Sequence, residues 1–270
     1  MKIPKLKSDY RYSIILLKQL VITDFKLRYQ GSILGYAWSL LRPLFLFSIL
    51  YVVFVQGLKF GSTMEHFPLY LLLGIVLWSF FSEMTGQSLG SIVGRGDLIR
   101  KIRIPRWIII LSTSVSAFIN LGLNLIVVGI FMFFMGVDVS TSALWFPLAI
   151  IEIYLLSLGL SFLLATAYVK YRDVSYIWDL LLQAGFYFTP LLYTLDIVTN
   201  EFIKKIIMLN PMAQAIQDAR SALVTKQTIT IAEVFGTGSA RLISIVTIGV
   251  LLILGLLYFR REAKSFAENI

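Results

Sequence analysis

An all-α membrane protein with six transmembrane helices is the fold class this chain predicts, on three observations. Hydrophobic residues make up 58% of its 270 residues and charged residues only 14%. Mean hydropathy is +0.82. The apolar residues gather into six runs of bilayer-spanning length, and most lysines and arginines sit between alternate runs. A soluble domain carries roughly 25% charged residues, so this chain lacks the polar surface to cover itself in water. One bundle of spans takes up most of the length.

Residues 1–34 form the expected cytoplasmic N-terminal segment. Within it, residues 10–30 are too charged to cross a bilayer. Ile14, Leu17, Val21 and Phe25 recur at helical spacing, with Arg11, Lys18, Lys26 and Arg28 interleaved. That pattern predicts an amphipathic helix lying in the membrane interface. It reads equally as an anchor or as a helix that shapes an entrance. No cleavable signal peptide is expected, because the first apolar stretch lies behind this basic segment and continues as a full span.

Residues 35–270 form the expected transmembrane domain. A span needs about 20 apolar residues to cross a hydrocarbon core of roughly 30 Å. The candidates are 36–58, 68–89, 107–135, 143–168, 177–195 and 242–259. The fifth is the shortest and is interrupted by Thr189-Pro190. Proline removes a backbone donor and kinks a helix, so this span is expected to break or turn back partway. Irregular backbone at that depth must be buried in protein or line a wet cavity.

Orientation follows from lysine and arginine. The N-terminal segment, the loop from Arg95 to Arg106, the loop with Lys170 and Arg172, and the tail with Arg260, Arg261 and Lys264 carry the bias. Both termini are therefore expected in the cytoplasm. These positions, at the ends of apolar runs, also leave the net charge of +9 with no nucleic-acid reading.

Between the fifth and sixth spans lies a long outer segment, 196–239. Asn210-Pro211 reads as a helix start, with asparagine as the cap and proline at the first helical position. Met212, Ile216, Ala219 and Leu223 then share one face. Phe202, Ile203, Ile206, Ile207 and Leu209 make a second apolar patch. Two short amphipathic helices at the outer surface are expected.

The chain has no cysteine and a single histidine, His66, which gives no start to a thiolate site and little to a metal site. It has no phosphate-binding loop and no hydrolase or metalloprotease motif, so no catalytic residue and no metal are expected. Its most informative loop is 94–106. Gly94 and Gly96 release the chain from the second span, and Pro105 ends any helix. Leu98, Ile99 and Ile102 can turn toward the membrane or a protein groove, with Arg100, Lys101 and Arg103 facing out. This is either a plain positive-inside loop or a short docking helix, 97–105, for a cytoplasmic partner.

Several pieces now line up with a known family. They are Asp24-Phe25-Lys26-Leu27-Arg28-Tyr29, Gly35-Tyr36-Ala37-Trp38 and Leu41-Arg42-Pro43, followed by Leu98-Ile99-Arg100-Lys101-Ile102-Arg103-Ile104-Pro105. After these come Arg172-Asp173-Val174, Phe188-Thr189-Pro190-Leu191-Leu192-Tyr193, and Leu209-Asn210-Pro211-Met212 with Arg220 shortly after. In this order the chain resembles the membrane subunits of ATP-binding-cassette exporters of lipid-linked polysaccharide, the group of O-antigen, capsule and teichoic acid permeases.

The resemblance implies a homodimer in the bacterial inner or plasma membrane, joined by two copies of a cytoplasmic ATPase. ATP and magnesium would bind on that separate chain, and none on this one. It implies that 98–105 is the coupling helix, that the N-terminal helix lines the entrance, and that Asn210, Pro211 and Arg220 belong to an outer gate. Lys26, Arg28 and Arg42, near the inner interface, suit either a lipid diphosphate head group or ordinary anionic lipid. Arg172 and Asp173 would hold the inner mouth, or simply end a helix. Phe186, Tyr187, Phe188 and Tyr193, around Pro190, are the aromatic candidates for stacking on sugar rings in a conduit.

Three acidic groups, Glu83, Glu152 and Asp179, fall within or near spans, where ionisable groups default to a functional hypothesis. They keep open an ion-coupled secondary transporter. An ATP-driven exporter of a small molecule or drug also stays open. Asn120 and Asn124 share a face of the third span and either bond across helices or line a polar conduit.

Overall fold

The computed structural model describes residues 3–35, 37–59, 64–101, 104–138, 140–264 and 266, without the side chains of 3–11, 28 and 29. The described residues form eleven α-helices and no strand. Five helical stretches are long and apolar enough to cross a membrane: Ala37–Gly57, Phe67–Ser91, Trp107–Phe134, Thr141–Lys170 and Gly238–Glu262.

Helix α1 (Ile3–Tyr29) starts well before the expected 10–30 and packs along α5. Leu20 is buried and Leu16 reaches the apolar cluster beneath it. Ile14 and Ile22 stay exposed. The packing face thus follows Leu16, Leu20 and Asp24, and the exposed apolar residues are left for the membrane surface. Helix α2 (Ala37–Leu50) begins the first span and continues as a π-helix over Tyr51–Gly57.

Helix α3 (Phe67–Ser91) is the hub. Eighteen of its 25 residues are buried, because α2, α5, α6, α7 and α9 all pack against it. Its first turn carries Pro68, where a missing backbone N–H costs no helical hydrogen bond. The short α4 (Gly96–Lys101) leads through Pro105 to α5 (Trp107–Phe134). This helix ends earlier than the expected 105, and Ile102 and Arg103 lie outside the described residues.

Helices α6 (Phe146–Lys170) and α11 (Arg241–Glu262) pack closely along their lengths. Small residues set their approach. A Cβ on Gly159 would stand 2.8 Å from the Leu252 backbone nitrogen, and one on Gly255 would overlap the Gly159 carbonyl oxygen. An ion pair of 2.7 Å between Lys170 and Glu262 closes the ends.

The expected fifth span, 177–195, takes a different form. Helix α7 (Val174–Phe188) has 15 residues and stops before Thr189-Pro190. At 1.5 Å per residue it is about 22 Å long, short of a core of about 30 Å. The chain then runs irregularly to α8 (Glu201–Leu209), α9 (Pro211–Leu223) and α10 (Ile231–Phe235). Asparagine caps both of the first two: Asn200 Oδ1 accepts from the Phe202 and Ile203 amides, and Asn210 Oδ1 from that of Met212. Met212, Ile216 and Ala219 are buried, as their spacing predicts, and Leu223, the fourth residue of that face, is half-buried. On α8 only Ile207 of the expected patch is buried, and Phe202, Ile203, Ile206 and Leu209 are exposed.

The close approach of α6 and α11 gives a direct test. Gly255→Val drives its side chain into the Gly159 carbonyl, and overpacking costs typically about 1–3 kcal/mol. Its melting temperature in detergent, followed by tryptophan fluorescence, falls below that of Gly249→Val, where an added Cβ meets nothing within 4 Å.

Candidate functional site

Two regions at opposite ends of α3 bring together the residues singled out in the sequence. The basic end holds α1, α4 and the ends of α6 and α11. The far end holds the irregular segment and α8–α10.

At the basic end, α4 presents Asp97, Arg100 and Lys101 outward, all exposed. Ile99 is buried and Leu98 is partly covered, and both pack on an apolar cluster that includes Ile92, Ile104, Ile109, Phe162, Phe259 and Phe266. These two apolar residues therefore face the chain's own core, and the surface left for a partner is charged. Pro105 is half-buried behind it. Arg95, just before α4, donates to Asp24 of α1, and to Ser112 Oγ at 2.9 Å and the Ile109 carbonyl at 3.4 Å on α5. The chain places no emphasis on Arg95 beyond its position in a basic loop, and its anchoring role is missed from sequence.

Lys26 and Arg42 are both exposed, and the side chain of Arg28 lies outside the described residues. Arg172 lies over the Tyr168 ring at 5.0 Å, and Asp173 is exposed at the start of α7.

At mid-depth, α3 and α5 share a polar cluster. Glu83 accepts from Gln87 Nε2 at 2.8 Å and from Asn120 Nδ2 at 2.6 Å. Asn124 Nδ2 donates to the Asn120 carbonyl at 2.8 Å and to the Ser39 carbonyl at 3.4 Å. The two asparagines thus bond within and between helices, which answers the choice their spacing left open. Asp179 is exposed on α7, with Gln183 one turn on and also exposed.

At the far end, Arg220 is fully buried. Its Nε donates to the Tyr70 carbonyl at 2.9 Å, and Nη2 to the Leu191 carbonyl at 2.9 Å. Nη1 donates to the Pro190 carbonyl at 2.5 Å and to Gln217 Oε1 at 3.0 Å. The guanidinium carbon lies 3.6 Å from the centre of the Tyr70 ring, a cation–π contact. Tyr70 Oη also donates to Gln217 Oε1 at 3.0 Å. Gly74 makes the approach possible, because a Cβ there would overlap Nη2. Asn210 Nδ2 adds a bond to Thr189 Oγ1 at 3.2 Å. The cap of α9 and its arginine together pin the segment that breaks α7.

The aromatic candidates divide. Phe186 packs edge-on against Trp78, and Pro190 is buried. Tyr187 and Phe188 are exposed. Tyr193 is half-buried and donates to the Phe188 carbonyl at 3.1 Å. Nearby, Asp218 of α9 pairs with Arg241 of α11 at 3.0 Å. Burial pushes the Asp218 carboxyl above its usual range, and Arg241 draws it partly back. Glu152 of α6 lies within the electrostatic reach of this pair. Among the described residues no group of three histidine or acidic side chains is placed to hold a metal.

With this geometry in hand, comparison with known proteins assigns the family. Residues 15–224 match the ABC-2 type transporter membrane family. Two proteins of Klebsiella pneumoniae, each named O-antigen export system permease protein RfbA, are 30% identical over 267 residues, covering 98% of this chain and 98% of theirs. A protein of the same name from Myxococcus xanthus is 29% identical over 204 residues, 75% of this chain and 77% of its own. The chain belongs to the ABC-2 type transporter family and is a multi-pass membrane protein.

The Arg220 site gives a stability test. Lysine keeps the charge but cannot reach four separated acceptors. Arg220→Lys therefore leaves buried carbonyls unpaired, at about 1–3 kcal/mol for each. The variant melts lower than the unmodified protein, and protease added at the far face cuts between residues 189 and 200.

Proposed function

We propose that this chain is the transmembrane subunit of an ATP-driven exporter of a lipid-diphosphate-linked polysaccharide of the O-antigen type. The end-to-end similarity to O-antigen export permeases carries this reading. In it, two copies of the chain form the path and two copies of a separate ATPase bind at the basic end, where ATP and magnesium are used.

The basic end is the cytoplasmic end, by the lysine and arginine bias. Helix α7 and the irregular stretch after it make the sixth crossing. Two contacts support this: Lys170 at the end of α6 pairs with Glu262 at the basic end, and Arg220 of α9 meets Tyr70 at the far end of α3. The chain between them runs from one face to the other, which returns both termini to the cytoplasm.

The homodimer explains α7. None of its residues is buried in the single chain. Asp179 and Gln183 share one of its faces, and lipid is a costly neighbour for both. A second copy across a hydrated path gives that face a suitable environment, with Tyr187 and Phe188 at its far end for contact with sugar rings. Lys26 and Arg28 meet the lipid diphosphate at the inner leaflet, Arg172 and Asp173 border the inner mouth, and Asn210, Pro211 and Arg220 frame the outer gate. Arg42, expected beside Lys26 and Arg28, instead lies one turn beyond Ser39, whose carbonyl meets Asn124 at mid-depth, and so sits further along the path. Arg100 and Lys101 are the exposed cations of the docking helix.

Affinity capture of the tagged chain from native membranes tests the docking. A soluble ATPase co-elutes, and Arg100→Glu with Lys101→Glu removes it while the chain itself still runs as a single species on gel filtration. A chain that elutes alone, with no ATP hydrolysis, overturns the proposal in favour of an ion-driven transporter.

A further inference from the structure

We infer that the Arg95–Asp24 ion pair is the link through which motion of α4 repositions α1. The inference rests on the reading of α4 as the helix that receives the ATPase. It adds two positioning residues, Arg95 and Asp24, neither of which touches the ATPase-facing surface or the substrate in that reading.

Arg95 closes the 3-10 turn Val93–Arg95, which runs directly into α4. Any tilt of α4 therefore moves the Arg95 backbone. Its guanidinium spans three elements: the turn itself, Asp24 on α1, and Ser112 with the Ile109 carbonyl on α5. The two charged side chains are only 17% and 21% exposed, so solvent screens the pair weakly. The second carboxylate oxygen of Asp24 is buried with no hydrogen-bond partner among the described residues. Separating the pair would leave that carboxylate buried and uncompensated, which is the costly outcome for a desolvated charge.

Two apolar contacts of α1 have a different character. Leu16 and Leu20 pack on apolar surface, and such contacts are non-directional and tolerate sliding. The charge-assisted hydrogen bond is short-ranged and directional. When α4 shifts, α1 therefore follows Arg95 and slides over its apolar bed. Leu98 of α4 rests on the same apolar cluster as Leu16 of α1, so the two helices share a floor on which to move together. The half of α1 that moves carries Lys26 and the exposed Leu27. ATP-driven motion would thus change the position of the entrance cations.

The experiment uses the full chain with its captured ATPase in lipid nanodiscs. The chain has no cysteine, so Leu27→Cys accepts a single environment-sensitive fluorophore on the exposed face of α1. The emission of that label is compared between the nucleotide-free and the vanadate-trapped complex. We expect a shift in the otherwise unmodified chain, its loss in Asp24→Asn, and its return in Asp24→Glu, with ATPase capture intact in all three. A shift that persists in Asp24→Asn overturns the inference. A loss shared by Asp24→Glu marks a role in folding alone and overturns it as well. If the unmodified chain captures no ATPase, the docking reading itself fails and takes the inference with it, an outcome read at the capture step and not from the label.

Discussion

Backbone carbonyls at Pro190 and Leu191 sit inside the bundle with no helix to satisfy them, and the guanidinium of Arg220 takes both. Every polar backbone group within a bilayer must find a partner in the protein, because an unpaired one costs several kcal/mol. Arginine suits the task because its fork offers donors in fixed directions. The same group reaches the Tyr70 carbonyl and lies against the Tyr70 ring on α3. One side chain therefore joins the hub helix, the broken end of α7 and the helix α9. Its charge is balanced by carbonyl dipoles, an amide oxygen and a π face, with no carboxylate among its partners in the described residues.

The rest of the bundle packs around that point with different closeness. Helices α6 and α11 approach through Gly159 and Gly255 and are closed by Lys170–Glu262. Helix α3 is enclosed on nearly all sides. Helix α7 meets this frame along one side: Trp178, Leu182 and Phe186 pack on the core, Trp178 Nε1 donates to Thr85 Oγ1 at 3.2 Å, and Gly185 leaves room for the Trp78 ring. At the opposite end, α1 and α4 sit on one apolar cluster, and Arg95 in the turn before α4 joins α1 through Asp24.

Much of this was legible in the sequence. The five long spans follow from apolar runs alone, because length and hydropathy decide whether a helix can cross a bilayer. The start of α9 was written in Asn210-Pro211, and the break in α7 in Thr189-Pro190. Other features were not legible, since they depend on contacts between distant parts of the chain. The family resemblance marks Arg220 as part of an outer gate, but its full burial and its bonds to Tyr70, Pro190 and Leu191 beside Gly74 are not legible until the chain is folded. Arg95 looks like a positive-inside charge, and Asp24 like a charge on an amphipathic helix. The apolar residues of α4 show why pattern alone is ambiguous: Leu98 and Ile99 are spaced for a groove, and the groove they fill belongs to the chain itself.

The most direct test of the account is transport by the purified complex of this chain and its ATPase in sealed proteoliposomes, with diphosphate-lipid-linked polysaccharide added to the ATPase-facing side. Access of the glycan to a glycosidase trapped in the lumen is measured over time. The account predicts cleavage that depends on ATP hydrolysis and persists when ion gradients are collapsed. Cleavage that needs an ion gradient and ignores ATP would contradict it.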